Sequence, residues 1–122
     1  MQAFVVLAML FCHVFDDYFL QGCLANMKQR GWWEQNAPDR RYRHDYIVAL
    51  IMHAISWSFM IMLPIAMYYR FQLNALFVHG FVTNVIVHAV VDDWKANKKW
   101  INLVVDQMAH MCQIAFTAFT LL

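Results

Sequence analysis

HAVVDDWKANKKWINLVVDQMAH, His88 to His110, holds the pattern that organises the chain. Its apolar left arm carries a His four residues before an Asp, His88 and Asp92. Its right arm carries the same pair reversed, Asp106 and His110. Between them lie Lys95, Lys98 and Lys99, framed by Trp94 and Trp100. This reads as a helical hairpin turning at a membrane surface. Basic residues mark the cytoplasmic loop, and Trp marks the head-group level. In a hairpin the reversal disappears in space, because both arms then hold the His deeper and the Asp nearer the turn. Residues four apart share a helix face, so each pair aims both side chains at one point.

Working outward, HVFDD at His13 to Asp17 repeats the forward pattern. Apolar blocks occupy about 3–24, 46–69, 71–93 and 100–122. Each is close to the ~20 residues a helix needs to cross a bilayer core. The chain has 122 residues, 62% hydrophobic and 14% charged, whereas soluble domains are about a quarter charged. The fold class expected is therefore all-α: one integral-membrane four-helix bundle over 1–122, with no room for a soluble domain. The first block lacks a basic start and carries Asp16 and Asp17, unlike a signal peptide. LQGC at Leu20 to Cys23 resembles a lipoprotein cleavage site only faintly. Cys12, Cys23 and Cys112 form no CxxC pair and read as free thiols packed as small hydrophobes.

Eight of the nine basic residues fall in the 25–45 loop or in the third loop; only Arg70 lies between the second and third spans. The positive-inside rule makes loops 1 and 3 cytoplasmic and puts both termini outside. Pro64 falls within the second helix. A net charge of +1 suggests no nucleic-acid surface.

The forward arms, the reversed arm and a lone His53 in the second span converge in the cytoplasmic half. At 1.5 Å per residue, Asp17, His53, His88 and Asp106 lie about 9 to 10 Å deep and His13 and His110 near 15 Å, with Asp92 shallower. An Asp at the centre of a spanning helix costs about 2.5–3.5 kcal/mol. The spans hold no Lys or Arg to offset it, because the basic residues sit in the loops. Protons, water or a bound cation remain. Imidazole and carboxylate together suit transition metals, and helix bundles build such centres from inward side chains. His13, Asp17, His53, His88, Asp92, Asp106 and His110 are the expected ligands for one or two ions of Zn, Mn or Fe. A purely structural set of His–Asp hydrogen bonds is the plainer alternative.

Gln21, Lys28 and Lys95 are candidates for gripping a substrate at the mouth. Asn84, Gln113 and Thr117 continue the His88 and His110 faces. Asp16 and Asp93 fall off the repeat and are expected to face head groups or to support the ligands from outside. Trp57 and His79 read as packing residues. No GxSxG, P-loop or HExxH stretch is present.

HVFDDYFLQ, Lys28, LIMHAISW, HAVVDDWK and DQMAH, in that order, resemble a family of small bacterial and phage membrane proteins known as a domain of unknown function. Its pattern is HxxxDFxLQ, a Lys, a lone His, HxxxDxxK and DQxxH. Tyr18 stands where that pattern has Phe, and the first loop is longer than in many members. The resemblance implies His13, Asp17, Gln21, Lys28, His53, His88, Asp92, Lys95, Asp106 and His110 as the family positions, and a bacterial cytoplasmic membrane as location. A looser likeness is to bacterial membrane-bound metal-dependent hydrolases. The function expected is a metal-dependent hydrolase acting on a lipid or lipid-linked phosphate near the cytoplasmic face, with Asp106 or Asp92 as general base. A divalent-metal or proton transporter, with a pore built by a homo-oligomer if need be, is one alternative. A non-catalytic membrane protein that binds a partner is another.

Overall fold

A computed structural model describes all 122 residues and is entirely helical. The long helices are α1 (Gln2–Phe15), α4 (Asp45–Tyr68), α5 (Ala75–Ala96) and α6 (Leu103–Leu121), with short α2 (Leu24–Met27) and α3 (Arg30–Asn36) inside the first loop. Three segments are long and apolar enough to cross a membrane: Gln2–Leu20, Arg40–Tyr68 and Ala75–Ala96. The expected fourth span, α6, has 19 residues. Its Asp106, Gln107, His110 and Gln113 leave it short of that apolarity, so length and composition support three spans, not four.

The bundle is inside-out. Of 26 buried residues, 13 are polar or charged, while Phe11, Phe59, Ile86, Phe116 and Phe119 stand more than half exposed. Soluble domains place these classes the other way round. The interior divides by depth. At the end bearing Lys28 and Lys95 lie the buried His and Asp residues. At the opposite end Val5, Met9, Trp57, Ile61, Met62, Ile65, Ile114 and Ala118 form one apolar core.

Local sequence explains the element ends. The Asn74 and Asn102 side chains accept from the backbone N–H groups of Phe77 (2.9 Å) and Val105 (3.0 Å), capping α5 and α6. α4 runs through Pro64 and ends in a turn with Arg70 and Phe71 at positive φ. α5 continues to Ala96, so Lys95 belongs to its last helical turn rather than to a loop.

After Phe15 the first helix widens into a π turn over Asp16–Leu20, closed by an i to i+5 bond from Gln21 N–H to the Asp16 carbonyl (3.1 Å). Such wide turns are rare and recur at functional sites. Gly22, at φ 49°, then reverses the chain, and α2 brings Lys28 back over the bundle mouth.

Candidate metal centre

α1 and its π turn supply Asp16 and Asp17, α4 supplies His53, α5 supplies His88 and Asp92, and α6 supplies Asp106 and His110. All seven are buried. Two groups of ligand atoms lie within 4.8 Å of one another: Asp17, His53 and His88, and His88, Asp92 and His110. His88 belongs to both.

Asp92 is the hub. Its carboxylate lies 3.5 Å from His53 Nε2, 3.7 Å from His110 Nε2 and 3.9 Å from His88 Nε2. Asp17 Oδ1 is 3.3 Å from His53 Nε2, and Asp106 Oδ1 is 3.5 Å from His110 Nε2. The rings stack closely, with His88 and His110 centroids 4.3 Å apart and His53 and His88 5.0 Å apart. Trp57 closes the floor, its indole 4.2 Å from His88 and nearly parallel to it.

None of these His–Asp approaches is a hydrogen bond. Both ring nitrogens of His53, His88 and His110 are buried without a hydrogen-bond partner, as are Asp16 Oδ2 and Asp106 Oδ1. Leaving one such group unsatisfied costs about 1–3 kcal/mol. Four of the six orphaned nitrogens, His53 Nδ1 and Nε2, His88 Nε2 and His110 Nε2, face carboxylates at 3.3–3.9 Å, an arrangement that could hold a cation. The plainer alternative of hydrogen-bonded His–Asp pairs lacks its hydrogen bonds.

Several expected residues take other places. His13 lies beside the groups but in neither. Trp57 Nε1–H donates to its Nδ1 at 2.8 Å, and its Nε2 meets Gln107 Oε1 at 3.1 Å. Asp106 is also outside both groups. Lys28 and Lys95, expected at the mouth for substrate, turn inward. Lys28 Nζ bonds Asp92 Oδ2 at 2.6 Å with both groups buried, and Lys95 Nζ bonds Asp106 Oδ2 at 2.7 Å. The interior therefore does contain cationic partners, supplied from the basic segments by long side chains. The Gln21 side chain donates to the Asp17 carbonyl.

Asp16, expected outside the site, is fully buried. It accepts from Ser56 Oγ at 2.6 Å and lies 3.7 Å from His53 Nδ1. Asp16 and Asp17 stand three and four residues after the buried His13, so both share its helix face, and the π turn begins at this pair. Asp93 stays at the rim, 3.7 Å from Lys98. Gln107 and Trp57 carry roles that the spacing of His and Asp did not reveal. Asn84, Gln113 and Thr117 form their own buried network one turn below, with Gln113 Nε2 donating to Asn84 Oδ1 at 2.9 Å and Asn84 Nδ2 to Thr117 Oγ1 at 3.0 Å.

Charge counting bounds what the interior can hold. Four buried carboxylates, Asp16, Asp17, Asp92 and Asp106, face two ammoniums, those of Lys28 and the partly buried Lys95. Two negative charges are left over, which one divalent cation or two protons would balance. Comparison with family models, curated proteins and solved structures finds no match.

Proposed function

We propose that the chain is an integral-membrane, metal-dependent hydrolase of a lipid or lipid-linked phosphate, holding one divalent transition-metal ion among Asp17, His53, His88, Asp92 and His110. The observation that supports the metal is the set of six buried, partnerless imidazole nitrogens, four of them beside carboxylates. In this reading the chain crosses the bacterial cytoplasmic membrane as a four-helix bundle, α6 being the fourth span. Packing against the other helices hides the polar face of α6.

A divalent ion there acts as a Lewis acid and makes water a nucleophile near neutral pH. The protein's own groups do the rest. Asp106 Oδ1, buried and without a hydrogen bond, would take the proton that water loses as its oxygen joins phosphorus, and would return it to the ester oxygen as the bond from phosphorus to that oxygen breaks. Lys95 on the other oxygen of Asp106 holds that carboxylate in position. Trp57 and the apolar core below it keep water from the far side.

The same floor argues against a transporter. Met9, Trp57, Ile61 and Ile65 fill the α1 and α4 side of the bundle beyond the centre with no exposure above 1%, and the Asn84, Gln113 and Thr117 network on the α5 and α6 side is itself buried. A centre at the Lys28 and Lys95 end suits chemistry on lipid held in that leaflet.

Elemental analysis of protein purified in mild detergent, without chelator or a nickel column, is the first test. About one equivalent of Zn, Mn or Fe is expected, lost in the His53→Ala, His110→Ala double variant, together with release of phosphate from lipid phosphates that follows the metal content. Protein that is folded, metal-free and takes up no added ion ends the metal reading. Metal-loaded protein that cleaves no lipid phosphate ends the hydrolase reading and leaves the centre.

A further inference from the structure

Three side chains join the floor of the centre to two of its carboxylates in one line. Trp57 Nε1 lies 2.8 Å from His13 Nδ1. His13 Nε2 lies 3.1 Å from Gln107 Oε1. Gln107 Nε2 lies 3.0 Å from Asp17 Oδ2 and 3.1 Å from Asp106 Oδ2. The line crosses α4, α1 and α6.

The direction of every proton in it is fixed from both ends. An indole N–H only donates, so His13 Nδ1 must accept. A neutral ring with Nδ1 unprotonated carries its proton on Nε2, which must find an acceptor; Gln107 Oε1 is there. An ionised carboxylate only accepts, so the Gln107 amide must present its NH2 group to Asp17 and Asp106. The donor-only end and the acceptor-only end demand the same orientation of the ring and of the amide between them.

The geometry points to Trp57, His13 and Gln107 as a polarised positioning relay: it holds His13 as the neutral Nε2–H tautomer and delivers two amide protons to Asp17 and Asp106, fixing both carboxylates against the centre without itself binding the ion. The inference deepens the metal reading and rests on it for its effect on affinity, although the tautomer stands without any metal. His13 thereby leaves the ligand set that the HxxxD spacing suggests and becomes a positioning residue. The role explains why the pair in α1 differs from those in α5 and α6. There the His nitrogens are orphaned, whereas here both are used.

Outer partners of metal ligands change affinity by about 10–100-fold when removed. Gln107→Leu and His13→Phe are expected to weaken metal binding by roughly that factor. His13→Gln can accept from Trp57 through its oxygen and donate to Gln107 through its nitrogen, and is expected to restore most of the loss. With cobalt as the probe ion, His13→Gln should leave the visible absorption bands of the ligand sphere in place. Nitrogen-15 NMR of the protein labelled at histidine should give His13 an unprotonated Nδ1 and a protonated Nε2, with that distinction lost in Trp57→Phe.

A protonated Nδ1 in the unaltered protein overturns the relay whether or not metal binds. Cobalt bands that shift in His13→Gln overturn it as well, by making His13 a ligand. If no metal binds at all while the tautomer is as stated, the metal reading fails and the relay remains. Circular dichroism and the unfolding temperature of each variant separate these effects from loss of fold.

Discussion

Asp92 stands among three imidazoles and the Lys28 ammonium, its Oδ2 2.6 Å from Nζ. Breaking a buried pair by removing one partner typically costs about 3–5 kcal/mol, because the other charge is stranded. Lys28→Met is expected to lose stability of that order when metal-free, and to regain more of it on addition of Zn or Mn than the unaltered protein gains. Thermal unfolding in mild detergent, with and without the ion, measures both. Equal metal responses in the two proteins would contradict the charge count. At this scale the convergence of Asp17, His53, His88, Asp92 and His110 was legible from spacing and depth, whereas His13 and Asp106, expected with them, lie outside both groups. Lys28 and Lys95 were misplaced because a long side chain can bury its charge far from where its backbone sits. Gln107 escaped notice because an uncharged amide gives no periodic signal.

The π turn over Asp16–Leu20 is the element that makes the site differ from a regular bundle. Deleting Tyr18 removes the extra residue of that turn and is expected to restore α-helical spacing, turning the segment that leads to Lys28 out of register with Asp92. Metal content should fall sharply while far-ultraviolet circular dichroism stays unchanged. Phe19→Ala, at a residue 71% exposed on the same turn, should leave metal content unaltered. Loss of metal in both would mean that the turn matters only for packing. Helices α4 and α5 were readable from apolar length, their observed ends differing from expectation by a few residues. The wide turn was not, since HVFDDYFL has the composition of an ordinary helix, and a π turn depends on which inward contacts win. The same holds for α2 and α3, whose short length gives no hydrophobic period to read.

The molecule as a whole exposes many large apolar side chains and buries five charges, Asp16, Asp17, Lys28, Asp92 and Asp106, and the basic segments 25–45 and 95–99 share one end. Reporter fusions in the 25–45 segment are expected to report the cytoplasm and those near Gln72 the opposite side. The reverse result would put the centre under the outer face and remove the cytoplasmic leaflet as its source of substrate. The all-helical class was legible because composition alone bounds it. Four spans were not established by apolarity, because the face of α6 that builds the site lowers its hydropathy.

An ion bound through Asp92 Oδ2 would compete with Lys28 for that oxygen, whereas one bound through Oδ1, 3.7 Å from His110 Nε2, would leave it in place. Lys28 is tied to Asp92, and Asn97 fastens that part of the chain to the end of α5 by donating to the Lys28 carbonyl at 3.0 Å and accepting from Arg30 N–H at 2.6 Å. An ion that takes Asp92 Oδ2 must evict the ammonium beside it. Occupancy through Oδ2 is thereby written on the surface: trypsin, blocked while Lys28 is buried, should cut after it faster once Zn is added. The protein would then carry its own gauge of loading, readable as a band on a gel.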